Sequence, residues 1–367
     1  MSQENINFLL AKEKSLPFRF FNLSLSQVFS DGRIAGVLRV ANHQYLDGLP
    51  DKSNLYCVEI DGQGKIIKSK LINFKPIGIA GEDLMVSNVE DDRSGQDSAL
   101  HGVTAVINHN LCYPAIYSRA CAREDGRYGP EDPGGRHYND GDWQKEVCLR
   151  VLNNLPPGKN TLPGKRQDQD FFLYRPDHTP CQIWGYYLEK DNLLLKNSPK
   201  PDFVWNFLPS WWTQKRVGLV SGSLILQDGR EFLPIHGQYL DQNDDHTYYA
   251  LGGCLVKIDQ SSLITPFANP FLTPRIMEEI IGRKLPQAVP KKTIIYSSGA
   301  LKNNDNFEIA VSVGDAKTFY LKTPWSEMEQ YINSQGEYLP SWQVVWELQP
   351  EISEFVFALS SSHNYFQ

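Results

Sequence analysis

Short apolar segments, each closed off by Gly, Asp, Asn or Pro, succeed one another along nearly all of this 367-residue chain. GRIAGVLRV, SNLYCVEID, KIIKSKLI, HGVTAVINH, FFLYR, QIWGYYLE, REFLPIHG, YYALGGCLVKI, KTIIYSSGAL, FEIAVSV and TFYLK all read as strands. They are short, rich in β-branched and aromatic residues, and bounded by turn formers. Between them DGQGK, ILQDGRE and NNDN carry the chemistry of tight hairpin turns. Helical periodicity is confined to FLLAKEK near the start, TPRIMEEIIGRK at 273–284 and WSEMEQYI at 325–332. Such a chain must bury its apolar residues in sheets, so the fold class is all-β with few short helices.

The strands fall into five groups of similar length, at roughly 18–72, 80–122, 143–196, 203–265 and 291–347. Repeated four-stranded units of that size predict a five-bladed β-propeller, one domain over residues 1–367. A two-sheet sandwich is the alternative, but the chain is long for one. Residues 123–142, REDGRYGPEDPGGRHYNDGD, read as a polar surface loop, and 197–202 as a similar connector.

Composition narrows the function. A formal charge of −7 with no sustained basic stretch argues against a nucleic-acid partner. No run of eighteen apolar residues is present, so no membrane span is expected. The start, MSQENINFLLAKEK, lacks the pattern of an export signal, which makes a cytoplasmic location the expectation. Six scattered cysteines without a C-x-x-C read as reduced core thiols. His101, His109, His137, His178 and His246 show no ligand spacing, so no catalytic metal is expected. No Walker loop or Rossmann glycine fingerprint supports a nucleotide cofactor. Oligomeric state is left open.

Several residues attract a functional reading. LPGKRQDQDFFLYRP at 162–176 reads as a Pro-x-Lys turn, a strand and an Arg-Pro, with Lys165 at a strand lip. Arg39, between Leu38 and Val40, is expensive inside an apolar strand unless it faces a pocket or an ion pair. His236 suits a sugar hydroxyl or a satisfied core position. Trp211 and Trp212 suit stacking on a sugar or packing at a blade edge. Asp83, following Gly-Ile-Ala-Gly-Glu, would by itself be read as a turn or cap.

Taken in order, these segments resemble glycoside hydrolase family 130, five-bladed propeller enzymes acting on β-mannosides as phosphorylases or hydrolases. GVLRVAN is similar to the family's Leu-Tyr-Arg-Ala segment, which implies Arg39 as a pocket residue. AGEDLMV resembles Gly-x-Glu-Asp-Pro-Arg, which implies Asp83 as the catalytic acid with Glu82 beside it. LPGKRQDQDFFLYRP resembles Phe-Pro-Glu-Lys and its following strand, implying Lys165 and Arg175 as phosphate contacts, Arg175 alternatively as scaffold. HGQYL matches Tyr-His-Gly and implies His236. YYALGGCL matches Tyr-x-Leu-Gly-Ala-x-Leu and implies Tyr248 or Tyr249. SVGDAKT resembles Gly-Ala-Ala-Asp-Thr and implies Asp315. The chain departs from the pattern at Leu84-Met85, where the family has Pro-Arg, and at Gly164, where it has Glu. The resemblance thus implies an oligosaccharide or glycoside substrate and inorganic phosphate as a possible co-substrate, with no other cofactor. The rival readings are a mannosyltransferase on the same scaffold and a non-catalytic glycan- or protein-binding propeller.

Overall fold

The computed structural model describes residues 19–41, 53–71, 74–77, 85–90, 102–108, 111–118, 147–152, 154–166, 169–188, 199–221, 223–241, 245–257, 261–285, 291–314 and 316–349. The strands of these residues form five sheets. The first runs in chain order through Arg19–Val28 (β1), Ile34–Ala41 (β2), Ser53–Ile60 (β3) and Ile66–Leu71 (β4). The second is built from Phe74–Ile77 (β5), Met85–Glu90 (β6), Gly102–Asn108 (β7), Leu111–Ser118 (β8) and Val147–Val151 (β9). Its spatial order is β6-β7-β8-β9-β5, with β5 parallel to β9.

The third sheet contains Gly158–Arg166 (β10), Gln169–Pro176 (β11), Gln182–Tyr187 (β12) and Phe203–Phe207 (β13). The fourth contains Arg216–Leu219 (β14), Leu224–Ile225 (β15), Glu231–Asp241 (β16) and His246–Val256 (β17). Ser262–Ile264 (β18) returns to the third sheet and lies parallel to β13. Lys292–Thr293 (β19) adds to the fourth, parallel to β17. Ile295–Asn303 (β20), Asn306–Val313 (β21), Lys317–Pro324 (β22) and Gln343–Glu347 (β23) make the fifth.

The expected all-β, five-bladed propeller is therefore the observed fold, but strands sort into sheets differently from their spacing. β9 was expected in the third unit and closes the second; β13 and β18 were expected in the fourth and belong to the third. The Pro-x-Lys stretch also differs from expectation. It is not a turn but the body of β10, pairing Leu162 with Leu173 and Lys165 with Asp170. Pro163 is tolerated there because β10 is a sheet-edge strand, where a missing N–H breaks no ladder bond.

Two helices lie among the described residues, Pro274–Ile281 (α1) and Trp325–Asn333 (α2). Thr273 caps α1 by accepting from the Ile276 N–H at 3.2 Å, proline opens it, and Gly282 ends it at φ 67°. Both helices match the sequence expectation at 273–284 and 325–332. The segment FLLAKEK and the loop 123–142 lie outside the described residues. Cys57 and Cys254 are buried and Cys181 is half-buried, in keeping with cysteines that pack in the core.

Apolar side chains pack between neighbouring blades. Phe171, Ile183 and Trp205 of the third sheet meet Ile235 and Ala250 of the fourth. Phe232 and Leu251 meet Phe307 and Ile309 of the fifth, with Met277 and Tyr331 from the helices. Leu38 and Val58 of the first sheet meet Ala310 and Trp346 of the fifth. Each such fully buried side chain contributes roughly 1.5–3 kcal/mol. The ring closes between the last and first sheets: the Thr318 hydroxyl donates to Phe20 O at 3.0 Å and the Gln349 N–H to Gly64 O at 2.8 Å.

One edge strand of each sheet turns inward. β1 lies beside β6 and β20, and β10 beside β6 and β14. Three of these inner strands carry a concentration of buried polar residues: Asn22 and Ser24 on β1, Asn160 and Thr161 on β10, and Ser297 and Ser298 on β20. β1 and β10 share a local device. Each bulges, between Phe21 and Ser24 and between Lys159 and Leu162, and each places an asparagine at positive φ there (Asn22 at 54°, Asn160 at 57°). Asparagine enters that region at small cost, and a bulge re-aims the side chains around it.

Candidate functional site

The third, fourth and fifth sheets bring Asn160, His236 and Tyr296 together. The Asn160 amide donates to the Tyr296 hydroxyl at 3.2 Å. The imidazole of His236 stands edge-on to the Tyr296 ring, with centroids 4.8 Å apart, and beside the Tyr249 ring at 6.4 Å. This meeting depends on Gly218 of β14, which pairs with His236. A Cβ at Gly218 would fall 2.2 Å from the imidazole Cε1 and 2.9 Å from Asn160 Cγ. No side chain larger than hydrogen fits.

His236 is 2% exposed, and its Nδ1 has no hydrogen-bond partner among the described residues. The Oγ1 of Thr161 on β10 and the Oγ of Ser298 on β20 share that condition. A buried polar atom left unpaired costs about 1–3 kcal/mol, so each of these three atoms needs a partner that the described residues do not supply.

The surroundings are cationic. Burial holds the His236 imidazole well below its ordinary titration range, and the charges of Arg175, Arg216 and Lys159 push it further down. A backbone hydrogen bond at Leu219 opposes them only in part. His236 is thus a neutral imidazole near pH 7, fit to donate or accept to a hydroxyl rather than to carry charge. Arg175 is fully buried; its Nη1 donates to Val217 O at 3.3 Å and its Nη2 lies 3.8 Å from Asp177 Oδ1. It ties the third blade to β14 while lending its charge to the cluster.

The depressed titration of His236 makes stability depend on pH. Below the ordinary value of 6.5 the unfolded chain takes up a proton that the folded chain refuses. The contribution is fully present above that value and is lost as pH falls toward the lower folded-state one. Urea unfolding of His236→Gln is expected to show a shallower loss of stability between about pH 6.5 and pH 5 than the wild type. Equal slopes would mean that His236 is not held neutral.

The remaining candidates are placed as follows. Arg39 is 4% exposed on β2, between fully buried Leu38 and Val40, and pairs across the sheet with Phe21 and Leu55. Lys165 lies five residues along β10 from Asn160, at the end that turns into β11. Tyr248 does not join His236: it and Tyr249 point to opposite faces of β17, and Tyr248 stacks on Tyr239 at 5.6 Å instead. Asp83, Glu82 and Asp315 lie outside the described residues. Asn160, Thr161, Tyr296, Lys159 and Arg216 escaped the reading of the sequence. The one local signal was polarity inside apolar strands, as in Ser297-Ser298 within IIYSSGAL.

No protein-family model matches the chain, and no curated protein matches it. Solved structures do. β-1,2-Mannobiose phosphorylase from Listeria innocua superposes with a TM-score of 0.52 at 13% identity, over 86% of this chain and 93% of that one. A second solved structure that matches is one described with the GH130 family of mannoside phosphorylases, which contains glycoside hydrolases that target β-1,2 mannosidic linkages in Candida mannan. It has a TM-score of 0.52 at 14% identity, over 84% of this chain and 85% of that one. The fold is that of the GH130 propellers. A glycosyl hydrolase from Bacteroides ovatus also superposes, at a TM-score of 0.50 and 12% identity over 84% of this chain and 85% of that one. At identities this low the superpositions show a shared fold alone, and chemistry has to be argued from the site. Among the described residues no helix is long and apolar enough to cross a membrane, and no three His, Cys, Asp or Glu side chains gather as metal ligands.

Proposed function

We propose that this chain is a carbohydrate-active enzyme that cleaves β-linked mannosides at the propeller hub, by phosphorolysis with inversion. The observation that carries the reading is the hub cluster itself. A neutral His236, the Asn160–Tyr296 pair and unpaired buried hydroxyls offer hydrogen bonds to a sugar, and Lys159, Arg216 and Arg175 supply positive potential for an anion. Phosphate is the anion that makes a single acid sufficient. Its oxygen attacks the anomeric carbon, the glycosidic C–O bond breaks, and the departing oxygen takes a proton from a carboxylic acid. No second carboxylate is needed to activate water.

The acid is assigned to Asp83 through the motif resemblance, with Glu82 beside it. Asp83 precedes β6 by two residues, and β6 lies beside inner strands β1, β10 and β20. Arg39 and Asp315 complete the proposed sugar contacts, and Lys165 remains a proposed phosphate contact. Arginine forks suit phosphate bidentately and lysine adds a mobile point charge.

The test is product analysis of β-mannoside oligosaccharides incubated with the full chain, with and without inorganic phosphate. Phosphate is expected to raise sugar release and to yield mannose 1-phosphate. Release of free mannose that is indifferent to phosphate overturns phosphorolysis in favour of hydrolysis. Turnover only of a nucleotide-activated mannose would assign a transferase, and a sugar that raises Tm without being consumed would assign a binding propeller.

A further inference from the structure

The second strands of four blades share a device at one level. Arg39 on β2, Arg175 on β11, His236 on β16 and Ser312 on β21 are all buried, at 4% exposure or less. Each stands directly opposite the second or third residue of its own blade's inner strand, namely Phe21, Lys159, Gly218 and Tyr296. Three of them meet the inner strand of the next blade. The Arg175 Nη1 donates to Val217 O on β14 at 3.3 Å. The His236 ring stands against Tyr296 on β20 at 4.8 Å, and Ser312 Oγ accepts from the Asn22 N–H on β1 at 2.6 Å.

Arg39 is the fourth member, and its next inner strand is β6. The side of β2 that carries Leu38 and Val40 packs on Ala310 and Trp346 of the fifth blade. Arg39 alternates with them and faces the other way, with Val37 and, across the ladder, Leu55 and Cys57. These three are buried but stand outside the cluster shared with the fifth blade. The second sheet, whose β6 lies beside β1, β2 and β3, covers them. The starts of β10, β14 and β20 meet where Asn160 bonds Tyr296 and Gly218 approaches Asn160. The start of β1 joins them through Ser312, the ladder partner of Tyr296. The inner strands thus open at one end of the hub, and the part of β6 level with Arg39 is its opening at Met85.

We infer that Arg39 is a positioning residue: its guanidinium clasps a main-chain carbonyl at the opening of β6, as Arg175 clasps Val217 O, and so holds the strand that follows Asp83. A buried guanidinium needs acceptors, and a carbonyl supplies one without a second charge. The group carries five donors, so the clasp leaves some for the sugar contact proposed above. Arg19 is buried on the same face, two residues before Phe21, but the residue two before Lys159 is Pro157, so Arg19 lies outside the repeat. The clasp stands on the repeat of the blades; its bearing on the acid rests on the function proposed above.

Hydrogen exchange tests the clasp and kinetics test its bearing on the acid, both on the full chain. In Arg39→Met, peptides covering Met85–Glu90 are expected to exchange at least about tenfold faster than in the wild type, while those covering Ile295–Asn303 keep their rates. Arg39→Lys keeps the charge and a donor but not the fork, so it should fall between the two, and it carries the test if Arg39→Met does not fold. Unchanged exchange at β6, a rise shared equally by β20, or an equal rise in Arg19→Met overturns the inference. In turnover, Arg39→Lys is expected to lose at least about tenfold more kcat on an unactivated β-mannoside than on one with a good leaving group. A residue that only stabilised the fold or only gripped the sugar would lower both alike. Equal losses in Arg39→Lys beside a selective loss in Asp83→Asn overturn the positioning role and leave the proposed function standing. Equal losses in both variants overturn the acid together with its positioning, and exchange alone then decides the clasp.

Discussion

Asp83→Asn is expected to reduce β-mannoside turnover by about two to four orders of magnitude, the span that a positioned general acid supplies. Asparagine preserves shape and removes only the transferable proton, so the thermal midpoint should stay within about a degree of wild type. The substrate can also separate the acid's role from binding. A mannoside with a good leaving group, such as a dinitrophenyl aglycone, needs little protonation and should lose far less rate in Asp83→Asn. An equal loss on activated and unactivated substrates would show that Asp83 binds or positions rather than protonates. Unchanged turnover on both would remove the acid from the proposal and leave the anion cluster without its partner.

Trp212→Ala is expected to destabilise the fold by about 3–5 kcal/mol. The side chain is 0% exposed and packs among Phe171, Trp205, Val217 and Ile235 between the third and fourth blades. Its indole N–H donates to Phe267 O at 2.9 Å, so truncation also leaves a carbonyl unpaired. The fit is tight enough that a Cβ on Gly237 would fall 2.5 Å from the indole Cε3. Relaxation of the surrounding hairpin is restricted by the ladder of β16 and β17, which pairs continuously from Glu231–Val256 to Asp241–His246. The cavity should therefore persist rather than collapse, which places the cost in the upper part of the range for buried aromatics. Urea unfolding of Trp212→Ala beside Trp211→Ala checks it. A loss below about 1 kcal/mol at Trp212, or similar losses at both positions, would contradict the packing described.

Adjacent in sequence, Trp211 and Trp212 have the same letters and the same possible roles. Tertiary context separates them: one indole fills the seam between two blades and the other stands at the surface. The same division of labour holds for Tyr248 and Tyr249. Local alternation guarantees that neighbours on a strand face opposite ways, but it cannot say which face meets His236. That was decided when β14, with glycine at position 218, and β20, with Tyr296, came to lie beside β16.

What was legible in the chain itself was whatever depends on a few consecutive residues. Strand lengths, hairpin turns such as Gln227-Asp228-Gly229, the Thr273-capped helix and the all-β propeller class follow from local patterning and its repetition. The buried charge of Arg39 was visible because a cation inside an apolar strand needs a reason. The partnership of strands was not legible. β9 closes the second sheet rather than opening the third, and β18 returns to β13, because ladder hydrogen bonds are indifferent to the length of chain between the strands that make them. The hub cluster belongs to the same category. Lys159, Asn160, Arg216, His236 and Tyr296 span three blades, and only closure of the ring places their charges and hydrogen bonds against one another.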